Sequence, residues 1–107
     1  KVLKDFVVKY KSMRGYKSPF VPGWDCHGLP VEHQLLKELN KTKDDVQQVP
    51  FRKQAAEFAN RWVKVQSDEF QRLGVFGDWE KPYLTMNKEY EAKEIESFGK
   101  MFREGYI

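Results

Sequence analysis

The sequence has a single cysteine among its 107 residues, at position 26. One cysteine allows no internal disulfide, so a reducing compartment is expected, with the cytoplasm as the default and mitochondria as the alternative. No apolar run approaches the roughly 20 residues that a transmembrane helix needs, and no stretch has the layout of a signal peptide. The glycines form neither a Gly-x-Gly-x-x-Gly fingerprint nor a Walker loop. The composition therefore argues against a disulfide-stabilised secreted domain and against a membrane protein.

Candidate metal ligands are also few. Cys26, His27 and His33 lie close together in the sequence. Zinc sites use three or four ligands, usually in regularly spaced pairs, and this spacing does not fit. A Cys26–His27 nucleophile pair is no better supported, because neighbouring side chains in an extended turn point apart. The sequence predicts no metal site and no catalytic nucleophile in this chain.

Positive charge is concentrated at the start of the sequence. The net charge is +3, and residues 1–17 carry six Lys or Arg side chains against one acidic residue, Asp5. Such a segment could meet the phosphates of ATP or RNA. The alternative is a solvated helix face, which is the commoner origin of charge runs. The aromatic content of 15% is too high for a disordered tail and predicts folded structure.

Apolar side chains recur every three or four residues in four stretches, which predicts helices over 2–13, 31–39, 50–73 and 88–104. Glycines at positions 15, 74 and 105 are predicted stops, and Asn87 a predicted N-cap. Residues 40–49 are predicted to form a polar connection with one helical turn. The third helix has one apolar stripe with a single polar member, formed by Phe51, Ala55, Phe58, Trp62, Val65, Glu69 and Leu73 and widened by Val63 and Phe70. Phe58 and Trp62 are expected in the core.

The strand predictions are short. Phe20-Val21 reads as a buried strand, Val75 to Trp79 as a turn or strand, and residues 80–82 as a loop. The fold class is therefore α/β and mostly helical, with too few strands for a stable sheet in isolation. The first residue falls inside a helical pattern, and Tyr106-Ile107 begins a new apolar stretch. We therefore expect the chain to be part of a longer protein.

The segment from Pro22 to Glu32 has the layout of a ligand site, with a strand, a glycine-bounded turn and a helix that has Pro30 at its first position. Asp25 could hold a ligand ammonium group by a charge-assisted bond, or could instead accept bonds from its own turn. His27 could donate to substrate or phosphate, or could fix the loop. Trp24 offers an apolar wall and is more often a packing residue. Two glycines, Gly23 and Gly28, permit close approach of a ligand.

This segment contains Gly-Trp-Asp-Cys-His-Gly-Leu-Pro and resembles the corresponding segment of isoleucyl-tRNA synthetases, which are class I enzymes. The similarity continues in Lys-Tyr-Lys-Ser-Met-Arg-Gly-Tyr before it, in the stretch from Leu73 to Met86, and in the final Gly-Tyr-Ile. The resemblance implies that residues 1–107 are a fragment of the Rossmann-like nucleotide-binding catalytic domain, located before the editing insertion.

The resemblance also implies roles for individual residues. Asp25 would bind the amino group of isoleucine, and Gly23, Trp24 and His27 would shape the pocket. The partners would be isoleucine, ATP with Mg²⁺, tRNA(Ile) and the remainder of the synthetase chain. Both ATP signatures of the family, His-Ile-Gly-His and Lys-Met-Ser-Lys-Ser, are absent from these residues. We therefore predict that the fragment is inactive alone, and we assign it no catalytic residue.

Two alternatives compete with this interpretation. A leucine or valine enzyme of the same subgroup would share the fold, but His27 disfavours the leucine enzyme, which has Phe at that position. The valine enzyme has a different turn. The second alternative is a stand-alone helical module that binds RNA or protein through residues 1–17. It predicts salt-sensitive RNA binding without amino-acid recognition.

Overall fold

A computed structural model describes residues 2–107; Lys1, which the sequence places in the first helix, lies outside the described residues. The described chain contains four α-helices, one 3₁₀ turn and two short strands. In chain order these are α1 (Val2–Met13), β1 (Gly23–Trp24), α2 (Leu29–Leu39), the 3₁₀ turn (Lys43–Asp45), α3 (Gln48–Arg72), β2 (Tyr83–Leu84) and α4 (Lys88–Arg103). The four predicted helices and the helical turn between the second and third are confirmed.

The helix ends follow the local signals in the sequence. Helices α1, α3 and α4 are each followed within two residues by a glycine with positive φ, at positions 15, 74 and 105. Helix α4 begins directly after Asn87, as predicted, although the Asn87 side chain makes no capping bond. Helix α3 begins two residues before Pro50. The first turn of a helix tolerates proline because its N–H groups have no partner within the helix.

The strand predicted at Phe20-Val21 is wrong in position, because both residues lie outside the two strands. Of the two alternatives predicted for residues 75–79, a turn or a strand, the strand is not formed. The predicted loop of residues 80–82 is confirmed, and β2 follows directly after it. Strands β1 and β2 pair in parallel, with Gly23 opposite Tyr83. The ladder is fixed by Tyr83 N–H donating to the Pro22 carbonyl at 2.8 Å and Thr85 N–H donating to the Trp24 carbonyl at 3.2 Å. The partner strand therefore decides which residues are extended, and the apolarity of residues 20–21 does not.

The core lies where α2 packs against α3. Leu35 of α2 and Phe58 and Ala59 of α3 are buried, as is Cys26 in the turn before α2. Three further apolar residues of α2, at the helical spacing that the sequence shows, are half-buried: Val31, Leu36 and Leu39.

The predicted stripe of α3 is confirmed in its first half and in the two residues that widen it, Val63 and Phe70, but not at the other members of its second half. Trp62 is 42% exposed and Leu73 is 70% exposed, so Trp62 is not a core residue. In the second half, half-buried side chains include Val63, Gln66 and Phe70. The reason is that α2 has 11 residues against 25 in α3 and cannot cover its whole length. Beyond the part that α2 covers, Trp24 of β1 and Trp79 of the loop after α3 contact a different side of α3.

Large apolar faces of α1 and α4 remain uncovered by the described residues. Side chains on α1 such as Leu3 and Met13 are 77% and 81% exposed, and Ile95 and Phe102 on α4 are 72% and 66% exposed. The radius of gyration is 17.9 Å, against about 13 Å for a compact domain of this length. Faces of this kind are typical of contact surfaces.

Helix α1 is attached to the rest of the chain by one buried acid, Asp5. Its carboxylate accepts a hydrogen bond from the Phe76 N–H at 3.2 Å and pairs with Lys9 Nζ at 2.6 Å. The hydrogen bond from Lys9 lowers the pKa of Asp5 below its usual value, and the Phe76 amide adds to this against the opposing effect of desolvation. Lys9 Nζ also lies 5.0 Å from the centre of the Phe76 ring. Asp5 therefore joins α1 to the loop after α3.

We expect Asp5→Asn to speed hydrogen exchange of the Phe76 amide several-fold in the natural polypeptide that carries this sequence, because the charged acceptor is lost. Asp68→Asn, at an exposed site on α3, is the matched control. The folded-state pKa of Asp5 is lowered, so its stabilisation is present above the unfolded pKa of about 3.9 and is lost as the pH falls through the folded value. The difference in Phe76 amide exchange rate between wild type and Asp5→Asn should therefore shrink at low pH. Equal exchange at neutral pH would contradict this role.

Candidate functional site

The turn of residues 25–28 joins the carboxyl end of β1 to the first residue of α2. The predicted strand, turn and helix layout is confirmed, although the strand lies three residues later than expected. Ligands of parallel sheets bind beyond the carboxyl ends of the strands. The residues that follow β1 and β2 are therefore the candidate site.

Asp25 is exposed at the start of this turn. Its Oδ1 accepts hydrogen bonds from the His27 N–H at 3.3 Å and from the Thr85 hydroxyl at 3.4 Å. The first of these bonds is the local turn contact that the sequence offers as the alternative to ligand binding. Within residues 2–107 both bonds are made by Oδ1, so Oδ2 keeps its acceptor capacity for a donor from outside the turn.

His27 is held by Thr85, the residue that directly follows β2. Its Nε2 lies 3.3 Å from the Thr85 carbonyl oxygen and 3.7 Å from Glu91 Oε1. A carbonyl oxygen only accepts, so Nε2 carries the proton in this contact. The side chain remains half exposed, at 52%. The geometry matches the loop-fixing alternative, and a substrate contact by His27 stays a prediction.

Trp24 packs, as the sequence favours. Its Nε1 donates to Gln66 Oε1 of α3 at 2.9 Å, and its ring centre lies 6.3 Å from that of Trp79. Trp79 in turn stacks on Phe70, with ring centres 6.4 Å apart. This aromatic series attaches β1 to the second half of α3.

Gly23 provides a close approach, and the group that uses it is a side chain of β2. A Cβ at this position would lie 2.9 Å from Cδ1 of Tyr83, so a larger residue would displace the ring. Gly28 precedes α2 with a φ of 90°, a conformation that side-chain-bearing residues rarely adopt. Approach of a ligand to either glycine stays a prediction.

Three clefts meet at the turn. A cleft of about 370 Å³ places Asp25 beside Phe58 and Trp62, and a cleft of about 610 Å³ places it beside Lys4 and Tyr83. The third, of about 650 Å³, lies on the α2 side and includes the polar side chains His27, Glu32, Arg52, Asn60, Asn87 and Glu91. The carboxylate of Asp25 is therefore reachable from two sides.

No group of three His, Cys, Asp or Glu side chains within residues 2–107 is arranged to hold a metal ion. The set of Cys26, His27 and His33 does not form such a group. Across the same residues, no helix has both the length and the apolarity required to cross a bilayer.

Cys26 is buried, at 5% exposed, and its backbone N–H donates to Thr85 Oγ1 at 2.8 Å. Burial raises the pKa of its thiol above the usual value, because desolvation disfavours the thiolate. The thiolate is the form that reacts with alkylating reagents. Cys26 should therefore be slow to react.

We expect iodoacetamide to alkylate Cys26 at pH 8 at least several-fold more slowly in the folded protein than after unfolding in urea. The rate should rise through a higher pH midpoint than that of an ordinary thiol, about 8.5. Mass spectrometry of the peptide containing Cys26 measures both rates in the same protein. Equal rates before and after unfolding would show that the thiol is accessible and its pKa ordinary.

Sequence reasoning missed two residues that organise the site, Thr85 and Gln66. Thr85 directly follows β2 and contacts the backbone or side chain of every residue from Trp24 to His27. Gln66 positions the indole of Trp24. Thr85 belongs to the family-like stretch that ends at Met86, and that stretch was a signal for its importance. For Gln66 the sequence contains no comparable signal.

Comparison with known proteins gives consistent results. The whole chain, residues 1–107, matches the family described as tRNA synthetases class I (I, L, M and V). It is 59% identical over its full length to an isoleucine–tRNA ligase of Caldanaerobacter subterraneus, and 56% identical over 98% of its length to one of Persephonella marina. It is also 56% identical over its full length to one of Thermoanaerobacter sp. strain X514. The chain spans only 11–12% of the length of these relatives.

Proposed function

The chain belongs to the class I tRNA synthetase family, and we propose that it forms part of the catalytic domain of an isoleucine–tRNA ligase. The observation that carries this proposal is the exposed carboxylate of Asp25 at the carboxyl end of β1, in a chain 59% identical to an isoleucine–tRNA ligase. The leucine and valine alternatives are disfavoured because the relatives with 51–59% identity are isoleucine enzymes.

The proposed reaction has two steps. A carboxylate oxygen of isoleucine attacks the α-phosphate of ATP, which forms the aminoacyl-adenylate and releases pyrophosphate. A hydroxyl of tRNA(Ile) then attacks the carbonyl carbon of the adenylate, which forms the aminoacyl ester and releases AMP. The first step requires positioning and charge stabilisation rather than a protein nucleophile. This agrees with a chain in which Cys26 is buried and assigned no catalytic role.

In this proposal Asp25 binds the ammonium group of isoleucine. A carboxylate and an ammonium form a charge-assisted hydrogen bond, roughly twice as strong as a neutral one. Two features support the assignment. Oδ1 is already held by the turn, and two clefts open onto the carboxylate. Trp24 contributes to the walls of both of these clefts. Gly23 lines the cleft of about 610 Å³, and His27 lines both that cleft and the third cleft, of about 650 Å³.

We further propose that β1 and β2 belong to a Rossmann-like sheet, and that residues 1–107 precede the editing insertion of the catalytic domain. Parallel pairing of β1 with β2 and the helix that follows β1 support this, since parallel sheets are built from such units. The exposed apolar faces of α1 and α4 are then available to the rest of the chain.

The proposed ligands of the whole enzyme are isoleucine, ATP and tRNA(Ile), with the cytoplasm as the expected location. ATP would bring Mg²⁺ with it. The carboxylates and imidazoles of residues 2–107 do not form a ligand set for that ion, so no step of the reaction is assigned to a metal bound here.

Amino-acid-dependent ATP–pyrophosphate exchange by the natural polypeptide that carries this sequence tests the proposal. Isoleucine, leucine and valine are supplied separately at equal concentration. We expect strong exchange with isoleucine, weak exchange with valine and none with leucine, because a hydrophobic pocket discriminates one methylene only modestly. Exchange strongest with leucine or valine would assign the chain to that enzyme instead. Exchange with none of them, together with salt-sensitive RNA binding, would favour the helical binding module.

The isolated 107-residue chain should give no exchange above a heat-treated control. Asp25 is present in it, but both ATP signatures of the family are absent. The fragment also leaves much of its apolar surface exposed. The full polypeptide, assayed in parallel, is the positive control. Turnover by the fragment would show that the residues of this chain suffice for adenylation.

A further inference from the structure

Thr85 has no function in the family resemblance, yet it makes four contacts with residues 24–27, which include Asp25. Its Oγ1 accepts the Cys26 N–H at 2.8 Å and donates to Asp25 Oδ1 at 3.4 Å. Its backbone N–H donates to the Trp24 carbonyl at 3.2 Å. Its carbonyl oxygen accepts from His27 Nε2 at 3.3 Å. The residue that directly follows β2 therefore contacts the last residue of β1 and the first three residues of the turn.

The hydroxyl of Thr85 is the part of the residue that reaches the Asp25 side chain. A hydroxyl has one proton and two lone pairs. One lone pair accepts the Cys26 N–H, which leaves the proton for Asp25 Oδ1. The short 2.8 Å bond fixes the oxygen of the hydroxyl, and the longer bond then directs the carboxylate. Bonds to functional side chains are often long in the unliganded state and tighten when the ligand binds.

The arrangement separates the two oxygens of the carboxylate. Thr85 and the His27 N–H both bind Oδ1, and within the described residues Oδ2 has no such donor. Two bonds to one oxygen restrain rotation of the carboxylate about its side-chain bonds. The other oxygen is then available to a ligand in the two clefts that Asp25 lines. Preorganisation of this kind reduces the entropy lost on binding.

We propose that Thr85 is a positioning residue that orients the Asp25 carboxylate toward the ammonium group of the amino-acid substrate. The inference rests on the proposed role of Asp25. It concerns substrate affinity rather than the chemical step, because Thr85 contacts the turn and not the reacting atoms.

The test compares Thr85→Val, which has nearly the same shape without the hydroxyl, with Thr85→Ser, which keeps the hydroxyl. Both are made in the natural full-length polypeptide and assayed by pyrophosphate exchange. We expect Thr85→Val to raise KM for isoleucine roughly 5- to 10-fold, the effect of one hydrogen bond, with kcat and KM for ATP unchanged. Thr85→Ser should restore most of the affinity. A general loss of folding would change kcat and KM for ATP as well.

A second measurement isolates the ammonium group. The deaminated analogue of isoleucine has the same carboxylic acid and side chain without the amino group, and its inhibition constant is measured in both enzymes. Thr85→Val should weaken isoleucine but leave this analogue unchanged. Equal weakening of both ligands would overturn the proposal, because Thr85 would then shape the pocket without acting on Asp25.

A double-mutant cycle with Asp25→Asn distinguishes the possible failures. If Thr85 acts through Asp25, Thr85→Val has little further effect in the Asp25→Asn background. Additive effects would overturn the positioning role while leaving Asp25 as the anchor. No effect of Asp25→Asn alone would overturn the anchor and the positioning role together. Absence of isoleucine-dependent exchange in the unmodified protein would overturn the proposed function itself.

Discussion

Replacing Asp25 with asparagine should lower kcat/KM for isoleucine in pyrophosphate exchange by roughly 10- to 150-fold. The substitution keeps the volume and one acceptor oxygen of the side chain but removes the negative charge. A hydrogen bond to a charged group contributes about 1.5–3 kcal/mol, which is this range of fold-change. The effect is expected mainly on KM for isoleucine, since the ammonium is bound in the ground state and in the transition state alike.

Asp68→Asn is the matched control for this experiment. Asp68 is an exposed aspartate on α3 that pairs with Lys64 at 3.0 Å, and pairs of this kind contribute little to stability. Asp68→Asn should leave isoleucine-dependent pyrophosphate exchange unchanged. The contrary outcome is that Asp25→Asn lowers kcat/KM for isoleucine less than twofold while the control is unaffected. That result would show that Asp25 serves only to accept hydrogen bonds from its own turn.

Replacing Phe58 with alanine should destabilise the packing of α2 on α3 far more than replacing Trp62 does. Phe58 is 7% exposed, whereas Trp62, one helical turn later, is 42% exposed. Truncating a buried phenylalanine costs about 3–5 kcal/mol, and a half-exposed ring loses only part of its contacts. Amide exchange in α2 and in the first half of α3 should accelerate by roughly a hundredfold or more in Phe58→Ala.

The comparison is demanding because tryptophan is the larger side chain. If burial of the whole apolar stripe determined stability, Trp62→Ala would be at least as damaging as Phe58→Ala. The two rings lie 6.2 Å apart, so part of the effect of either truncation is shared. Amide hydrogen-exchange rates, measured for both variants in the full polypeptide, show which substitution is the more destabilising. A larger effect for Trp62→Ala would mean that the sequence stripe, and not the described burial, identifies the core.

The error at Trp62 has a definite cause. Helical spacing identifies which residues share one face of α3, but it does not state which part of that face a neighbour covers. Helix α2 is too short to cover α3, and the bond between Trp24 and Gln66 shows that β1 lies against another side of it. Gln66 is polar, yet it is half-buried on that side of α3 because it accepts the hydrogen bond from Trp24. Packing between elements decides such positions.

What the sequence determined by itself is local. Helix hydrogen bonds join residues four apart, so spacing, Asn87 and the glycine stops located all four helices to within two or three residues. The Gly-Trp-Asp-Cys-His-Gly-Leu-Pro turn likewise identified the family. The tertiary structure alone decided where the strands lie and that Thr85 holds the turn of Asp25. The bond from the Cys26 amide to Thr85 joins residues 59 apart, and no local pattern specifies such a pairing. It forms because the chain between them, chiefly α2 and α3, folds back and brings β2 alongside β1.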